Sequence, residues 1–362
     1  MPHKVIKMTL LILLAVLAVP DSVNAQQSSF KRVLSISTIP QLEPYPLTDS
    51  DFSKVFTSAV ELVANAGVTG NVYTQHWNEI EPTKGRYKLD DLKNTVDYLG
   101  RVKGFDLFFG IQVINTVTRE VPDDLKDVSF DSEQMKERFH ALIDAITPNL
   151  EAHVRYISIG NEVDQYLEDN NEWTTYTVFY DDAVAYIHKV LPHIKVGVTV
   201  GFDGLTKAWL KQIQALNKVS DVIIVTYYPL NPDFTVQRPD APLTDFPLML
   251  QQTNNRPLLI QEIGYPASQK LNSSEQLQAQ FVQNVFTAWA DTGNQVPFVN
   301  FFLLHDFTKA MCNQFLIYYG LPNSSSFYEY LCTLGLRQAN GIPRQAWWQF
   351  VDSAKHLKSS GL

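Results

Sequence analysis

Two glutamates follow apolar stretches of strand length in separate parts of the chain. Glu162 closes the stretch 156–162, and Glu262 closes the stretch 258–262, after which Gly264 and Pro266 prevent further regular pairing. Each glutamate alone is equally well explained as the first solvated residue of a loop. Together they indicate an acid/base and a nucleophile, because hydrolysis of a glycosidic bond uses two facing carboxyl groups.

The elements that would position these two residues alternate along the chain. Short apolar runs alternate with longer stretches whose apolar residues lie three and four apart, a pattern typical of parallel strands joined by crossover helices. We predict strands at 32–37, 71–76, 107–113, 154–159, 196–200, 222–227, 258–262 and 298–303. We predict helices at 51–66, 89–101, 131–145, 176–190, 206–216 and 274–290, and a last helix containing Trp347 and Trp348. Helix N-caps are expected at 49–51 and 273–274.

Eight such strands predict an α/β fold of the (β/α)8 TIM-barrel type. The active site of this barrel lies at the C-terminal ends of the strands. Glu162 would end the fourth strand and Glu262 the seventh, on facing arcs of the barrel, so the two side chains can converge at its mouth.

The N-terminus has the pattern of a secretory signal peptide. Lys4 and Lys7 precede an apolar run at 8–19, and small residues at 23–25 fit a cleavage site. We therefore predict a signal peptide at 1–25 and one catalytic domain at 26–362. The apolar run is short for a membrane span, which favours a secreted or periplasmic protein over an anchored one.

The composition limits the kinds of partner. The net charge is −9 at pH 7, and the absence of a basic cluster argues against nucleic acid or an anionic membrane surface. We expect a monomer whose partner is a polysaccharide or oligosaccharide. Cys312 and Cys332 are the only cysteines, and an oxidising compartment favours a disulfide between them over two buried thiols.

Several motifs resemble those of a known clan of enzymes. Gly160-Asn161-Glu162 and Glu262 resemble the strand ends of the retaining (β/α)8-barrel glycoside hydrolases. Residues 77–87 are similar to the segment after the second strand in that clan, and 335–347 to its common ending. Within the clan, 226–229 and 262–266 are most similar to endo-β-1,4-galactanases that act on arabinogalactan. The resemblance implies cleavage within a β-linked polysaccharide, and the choice among galactan, glucan, mannan and xylan stays open.

The resemblance also implies roles for individual residues. Glu262 would attack the anomeric carbon, while Glu162 would act as acid and then base, and we expect the raised pKa on Glu162. Asn161 would donate to the sugar 2-hydroxyl, unless it only closes its loop. Tyr228 would hydrogen-bond the nucleophile, unless it only fills the barrel mouth.

Further substrate contacts are predicted in the loops on the catalytic side. Aromatic rings there stack on sugars or pack the loops, and histidines at strand ends contact substrate or structure. These candidates are Trp77, Trp173, Tyr227, Tyr265, His76 and His305.

No cofactor or metal is expected. The histidines and carboxylates are too scattered for a metal site, and the chain has no phosphate loop, dinucleotide fingerprint or serine nucleophile motif. The first hypothesis is thus a secreted retaining β-glycoside hydrolase. The alternative is a glycan-binding barrel without turnover.

Overall fold

Eight parallel strands form the wall of a barrel in the computed structural model, which describes residues 31–43, 48–150 and 153–359. The predicted signal peptide at 1–25 lies outside these residues. The strands are β1 (Val33–Ile36), β2 (Gly70–His76), β3 (Asp106–Asn115), β4 (Val154–Asn161), β5 (Lys195–Gly197 and Thr199–Gly201), β6 (Ile223–Tyr227), β7 (Leu258–Ile263) and β8 (Phe298–Phe301). Each predicted strand is confirmed, with ends shifted by up to two residues.

Pairing runs in chain order around the barrel. Each strand pairs with the next one in parallel, and β1 also pairs with β8. The two segments of β5 pair with different neighbours, the first with β4 and the second with β6. The β/α alternation of the sequence therefore yields the predicted (β/α)8 barrel.

Helices surround the barrel and fill its connections. They are α1 (Asp49–Asn65), α2 (Trp77–Ile80), α3 (Asp90–Thr95), α4 (Glu133–Leu150), α5 (Val163–Asp169), α6 (Trp173–Val190), α7 (Leu210–Leu216), α8 (Pro242–Gln251), α9 (Glu275–Asp291), α10 (Lys309–Tyr318), α11 (Ser325–Cys332) and α12 (Gln345–Ser359). The predicted cap Ser274 accepts from the Leu277 amide at 3.1 Å, whereas α1 is capped by Thr48 instead of 49–51. Within the described residues, no helix is both long and apolar enough to cross a membrane.

The barrel interior is built in layers, because every second residue of a strand points inward. An apolar layer at the bottom contains Val33, Phe108, Tyr156, Val222, Ile224, Leu259 and Phe298. The next inward positions on three of these strands are Ser35, Ser158 and Gln261, which are buried and hydrogen-bonded. This polar layer supports the strand ends from below.

A helical hairpin follows β8. α10 and α11 are joined by a disulfide between Cys312 and Cys332, with 6.1 Å between their Cα atoms. Leu316, Phe327 and Leu331 bury the inner side of this hairpin against the chain that leaves β8. The predicted disulfide is thus present and holds the two helices together.

Candidate active site

Glu162 stands at the turn between β4 and α5 in an unusual backbone conformation. Its φ and ψ are 46° and 48°, in the left-handed region that non-glycine residues rarely adopt. Gly160 has a φ of 90°, and a Cβ there would lie 2.4 Å from Cγ1 of Val163. Such left-handed residues cost of order 1–3 kcal/mol and cluster at functional sites. The turn therefore fixes the direction of the Glu162 side chain at the barrel mouth.

Two threonines hold the Glu162 carboxylate. Thr226 Oγ1, at the end of β6, donates to Oε1 at 2.6 Å, and Thr116 Oγ1, after β3, donates to Oε2 at 2.8 Å. Each carboxylate oxygen thus accepts a hydrogen bond from a different strand end. The head group has a defined orientation as a result.

Glu262 lies near the end of β7 and accepts a hydrogen bond from a tyrosine. Tyr228 Oη donates to Oε2 at 2.5 Å, as the resemblance implied, and Gln261 Nε2 lies 3.5 Å from Oε1. Tyr228 is in turn held edge-on by Tyr330, with ring centroids 5.5 Å apart. The carboxylate is therefore oriented by its neighbours on β6 and β7.

The two glutamates are close enough to influence each other. In the pairing of β6 with β7, Thr226 is the partner of Glu262, and the same threonine donates to Glu162. Burial, followed by the negative charge of Glu162, raises the pKa of Glu262 to about 7. The sequence analysis did not predict a raised pKa for Glu262, which follows from its burial at the barrel mouth.

A chain of side-chain amides lies directly beneath the pair. Gln261 Nε2 donates to Asn161 Oδ1 at 2.7 Å, and Asn161 Nδ2 donates to Asn115 Oδ1 at 3.0 Å. Thr199 Oγ1 donates to Gln261 Oε1. The residues that precede each glutamate are thus joined to each other across the barrel, a connection that sequence analysis did not predict.

Two of the predicted substrate contacts remain partly accessible near the mouth. His76 ends β2, and its Nε2 lies 3.5 Å from Nδ2 of Asn115. Trp173 is half-buried on α6, where its Nε1 donates to Glu168 at 2.9 Å. Neither of these two side chains contacts Glu162 or Glu262.

Three aromatic residues predicted to stack on sugar are instead packed in the protein, which corrects those predictions. Trp77 and Tyr227 are both 0% exposed, and Tyr265 is 2% exposed. Their polar atoms are occupied by protein partners, since Trp77 Nε1 donates to Glu81, Tyr227 Oη to Asp245 and Tyr265 Oη to the Gln237 carbonyl. Their rings fill the layer between strands and helices.

His305 is also a structural residue and not a substrate contact. Its Nδ1 lies 2.8 Å from the Ile39 carbonyl and its Nε2 accepts from Arg337 Nε at 3.1 Å. Burial, together with the charge of Arg337, lowers the pKa of His305 to about 4. The neutral ring ties the start of the post-β8 chain to the segment after β1.

The hairpin of α10 and α11 supplies residues that the sequence analysis missed. Tyr318 Oη accepts from Asn115 Nδ2 at 3.0 Å and donates to Glu120 Oε1 at 2.9 Å. Tyr330 packs edge-on against Tyr228, the hydrogen-bond donor to Glu262. Burial, followed by the charges of Glu162 and Glu262, raises the pKa of both Tyr319 and Tyr330. In this segment, the sequence analysis had predicted only the disulfide between Cys312 and Cys332.

No metal site accompanies the pair in the part of the chain that the structure describes. No three residues among its His, Cys, Asp and Glu are grouped to hold an ion. The chemistry that the site offers is that of two carboxyl groups and their hydroxyl donors.

The barrel with this pair at its mouth is the architecture of the (β/α)8-barrel glycoside hydrolases. The chain belongs to glycosyl hydrolase family 53, whose model matches residues 126–310, a segment that contains both Glu162 and Glu262. No curated protein sequence matches the chain.

Solved structures support the fold. An exo-β-1,4-mannosidase, Op5Man5, from Opitutaceae bacterium strain TAV5 superposes with a TM-score of 0.71 and 17% identity, over 93% of this chain and 62% of that protein's length. A GH5_18 protein from Streptomyces cattleya in complex with GlcNAc gives 0.71 at 12% identity, over 92% of this chain and 82% of that one. A family 39 glycoside hydrolase from Bacteroides cellulosilyticus WH2 gives 0.61 at 15% identity, over 91% and 64%.

Proposed function

We propose that this glycoside hydrolase cleaves a β-linked galactan, of the arabinogalactan type, outside the cytoplasm and with retention of configuration. The carboxyl pair at the ends of β4 and β7 carries this proposal. The charge of Glu162 contributes to the raised pKa of Glu262, and Thr226 is a neighbour of both groups. A retaining mechanism would require carboxyl groups about 5 to 5.5 Å apart. The galactan assignment rests on the match to family 53 and on the motifs at 226–229 and 262–266.

In the first half of the reaction, Glu262 acts as the nucleophile. Its ionised carboxylate attacks the anomeric carbon, the bond to the leaving oxygen breaks, and Glu162 gives its proton to that oxygen. Tyr228 stabilises the negative charge of Glu262 before the attack, because it donates a short hydrogen bond to the same carboxylate. The product of this half is a covalent glycosyl-enzyme and a released sugar fragment.

In the second half, Glu162 acts as a base. It takes a proton from water, the resulting hydroxide oxygen bonds to the anomeric carbon, and Glu262 leaves as a carboxylate. Thr116 and Thr226 donate to Glu162 and stabilise it whenever it is ionised. Both glutamates thereby return to their starting protonation states.

Asn161 supports the sugar next to the pair. Its amide nitrogen has two N–H groups, and one of them donates to Asn115. The second is the group that we assign to the sugar 2-hydroxyl, a contact that strengthens in the transition state. His76 and Trp173 contribute to binding farther from the cleavage point.

Export follows from the N-terminal pattern. A signal peptide at 1–25 would deliver the chain to the periplasm or the medium, where the polysaccharide is found. The disulfide between Cys312 and Cys332 agrees with an oxidising destination.

Reducing-end release from a panel of β-linked polysaccharides tests the proposal. The wild type is compared with Glu262→Ala and Glu162→Ala, and with Glu137→Ala, an exposed glutamate on α4, as the matched control. We expect release from galactan to fall by a factor of about 10³ or more in the two site variants, since general acid catalysis alone supplies 10²–10⁴. Glu137→Ala should retain full activity.

The stereochemistry of the first product distinguishes the mechanism. NMR of the fresh reaction mixture should show the β-anomer. With an aryl β-galactoside whose leaving group needs no proton, azide should restore turnover of Glu162→Ala and give a β-glycosyl azide. Equal release by the wild type and Glu262→Ala would rule out Glu262 as nucleophile. Binding of one glycan without any release would instead support a glycan-binding barrel.

A further inference from the structure

The hairpin formed by α10 and α11 spans the barrel mouth. At one end, Tyr318 is hydrogen-bonded with Asn115, the last residue of β3, and with Glu120 in the chain that follows it. At the other end, Glu329 accepts from Ser268 at 2.6 Å and from Lys270 at 2.5 Å in the chain after β7. The hairpin therefore bridges opposite rims of the mouth over the carboxyl pair.

Aromatic packing fixes the middle of the hairpin as well. Tyr330 stands edge-on against Tyr228, and Phe327 packs on Phe234 with ring centroids 5.3 Å apart. Both contacts are with the chain after β6. Since the disulfide holds α10 to α11, a polysaccharide that continued over β3 would have to displace the whole bridge.

A cavity of about 960 Å³ lies on the side of the mouth formed by β1 and β2, and its wall includes Glu262 and Phe302. The cavity lies where β1 and β2 separate, because only Ser35 and Gly70 are paired between these strands. Asn71 Nδ2 spans the separation by donating to the Ile36 carbonyl at 3.1 Å. The volume lies at the upper end of the usual 300–1,000 Å³ for ligand pockets.

The lining of this cavity suits a carbohydrate. Polar groups come from Asn94 and from Asn71 and Thr38, although Asn71 Nδ2 already donates to Thr38 Oγ1 at 2.8 Å within the protein. Aromatic surface comes from Phe52 and Phe56. The two phenylalanine rings are stacked with centroids 6.2 Å apart, and Phe52 is 47% exposed. Hydroxyl-rich pyranose rings have apolar faces that pack on such rings, while their edges need hydrogen-bond partners.

We propose that the terminal units of the glycan occupy this cavity between β1, β2 and α1, and that the hairpin prevents the chain from continuing over β3. The enzyme then shortens the polysaccharide from a chain end and releases short products. The inference rests on the proposed function and revises one of its expectations, since the resemblance to endo-galactanases implied cleavage within the chain.

Viscosity and reducing ends, measured together on the polysaccharide that the wild type degrades best, test the proposal. We expect short products from the first minutes and little loss of viscosity for each bond cleaved. A rapid loss of viscosity with products of mixed length would overturn it. Absence of hydrolysis would instead overturn the proposed function itself, so the two failures are distinguishable.

Two variants with one control locate the effect. Tyr318→Ala removes the bridge to β3 and should increase the viscosity loss per reducing end several-fold, whereas Ile317→Ala, at a neighbouring 73% exposed position, should not change it. Phe52→Ala should raise KM for the polysaccharide but not for an aryl monoglycoside. An unchanged product pattern in Tyr318→Ala would overturn the proposal that the hairpin prevents the glycan from continuing over β3. An unchanged KM in Phe52→Ala would overturn the assignment of the terminal sugar units to the cavity.

Discussion

Gln261 donates a hydrogen bond from Nε2 to Oδ1 of Asn161 at 2.7 Å, and each of these residues directly precedes one of the two glutamates. The bond crosses the barrel between β7 and β4 and is buried, with Gln261 1% exposed. A change in the position of either strand end is thereby transmitted to the other. The relative placement of the two carboxyl groups depends on this amide pair.

Replacement of Gln261 by Leu should lower both stability and activity. It leaves Oδ1 of Asn161 without its donor in a buried layer, at a cost of about 1–3 kcal/mol, and removes one of the two partners of the Thr199 hydroxyl, which keeps Ser158 at 2.7 Å. Urea denaturation measures the free energy of unfolding, and kcat measures the effect on the site. Gln251→Leu, at an exposed position on α8, is the control and should change stability by less than about 0.5 kcal/mol. Equal stability of both variants would contradict the role given to Gln261.

The strands were predictable because a strand buried on both faces of a parallel sheet is a continuous apolar run. Glu162 and Glu262 were predictable for a related reason, since the end of each run marks the C-terminal rim where barrel enzymes place their chemistry. Even the polar layer follows the same alternation, because Leu259 and Gln261 point to the same side of β7.

Contacts between distant parts of the chain were not predictable in this way. Tyr318 reaches Asn115 across a separation of 203 residues, and nothing in the local pattern of α10 specifies that contact. Trp77 and Tyr227 follow or end strands, but the loops and helices that fold over them decide their burial. Hydrophobic periodicity reports which face of an element is apolar and not which other element covers it.

The buried ion pair of Asp306 and Arg344 should be essential for stability. Arg344 Nη1 and Nη2 donate to the two carboxylate oxygens at 2.9 and 2.6 Å, and both side chains are less than 10% exposed. Asp306→Asn leaves the charge of Arg344 buried with only the more distant and more exposed Glu275 at 3.9 Å, and breaking a buried pair in this way typically costs 3–5 kcal/mol. Asp240→Asn breaks the exposed pair with Arg238 and should cost less than about 1 kcal/mol. Comparable urea midpoints for the two variants would show that the buried pair is not a major contribution.

Removal of the disulfide should loosen the hairpin over the mouth. Its cysteines are 20 residues apart, and closing a loop of that size contributes roughly 3 kcal/mol by the chain-entropy estimate. The double variant Cys312→Ser with Cys332→Ser should unfold at lower urea than the wild type, and treatment of the wild type with a reductant should reproduce the shift. A reductant that also shifted the double variant would point to a cause other than this bond.

The pH dependence of the reaction should report the ionisation of Glu262. The nucleophile must be charged, and its pKa is raised to about 7, so kcat/KM should fall as the pH decreases through about 7. Tyr228 donates to the charged form and so lowers this pKa. Tyr228→Phe should therefore move the acidic limb of the profile to higher pH and reduce the rate at neutral pH.

Tyr186→Phe is the matched control for this experiment, because Tyr186 also donates to a carboxylate, that of Asp144, but lies on α6 at the outer surface. Its pH profile should coincide with that of the wild type. If Tyr228→Phe left the acidic limb in place while lowering kcat, the hydroxyl would act on the substrate or on the geometry of the site. A displaced limb would show that the hydrogen bond keeps Glu262 ionised at the pH where it must attack.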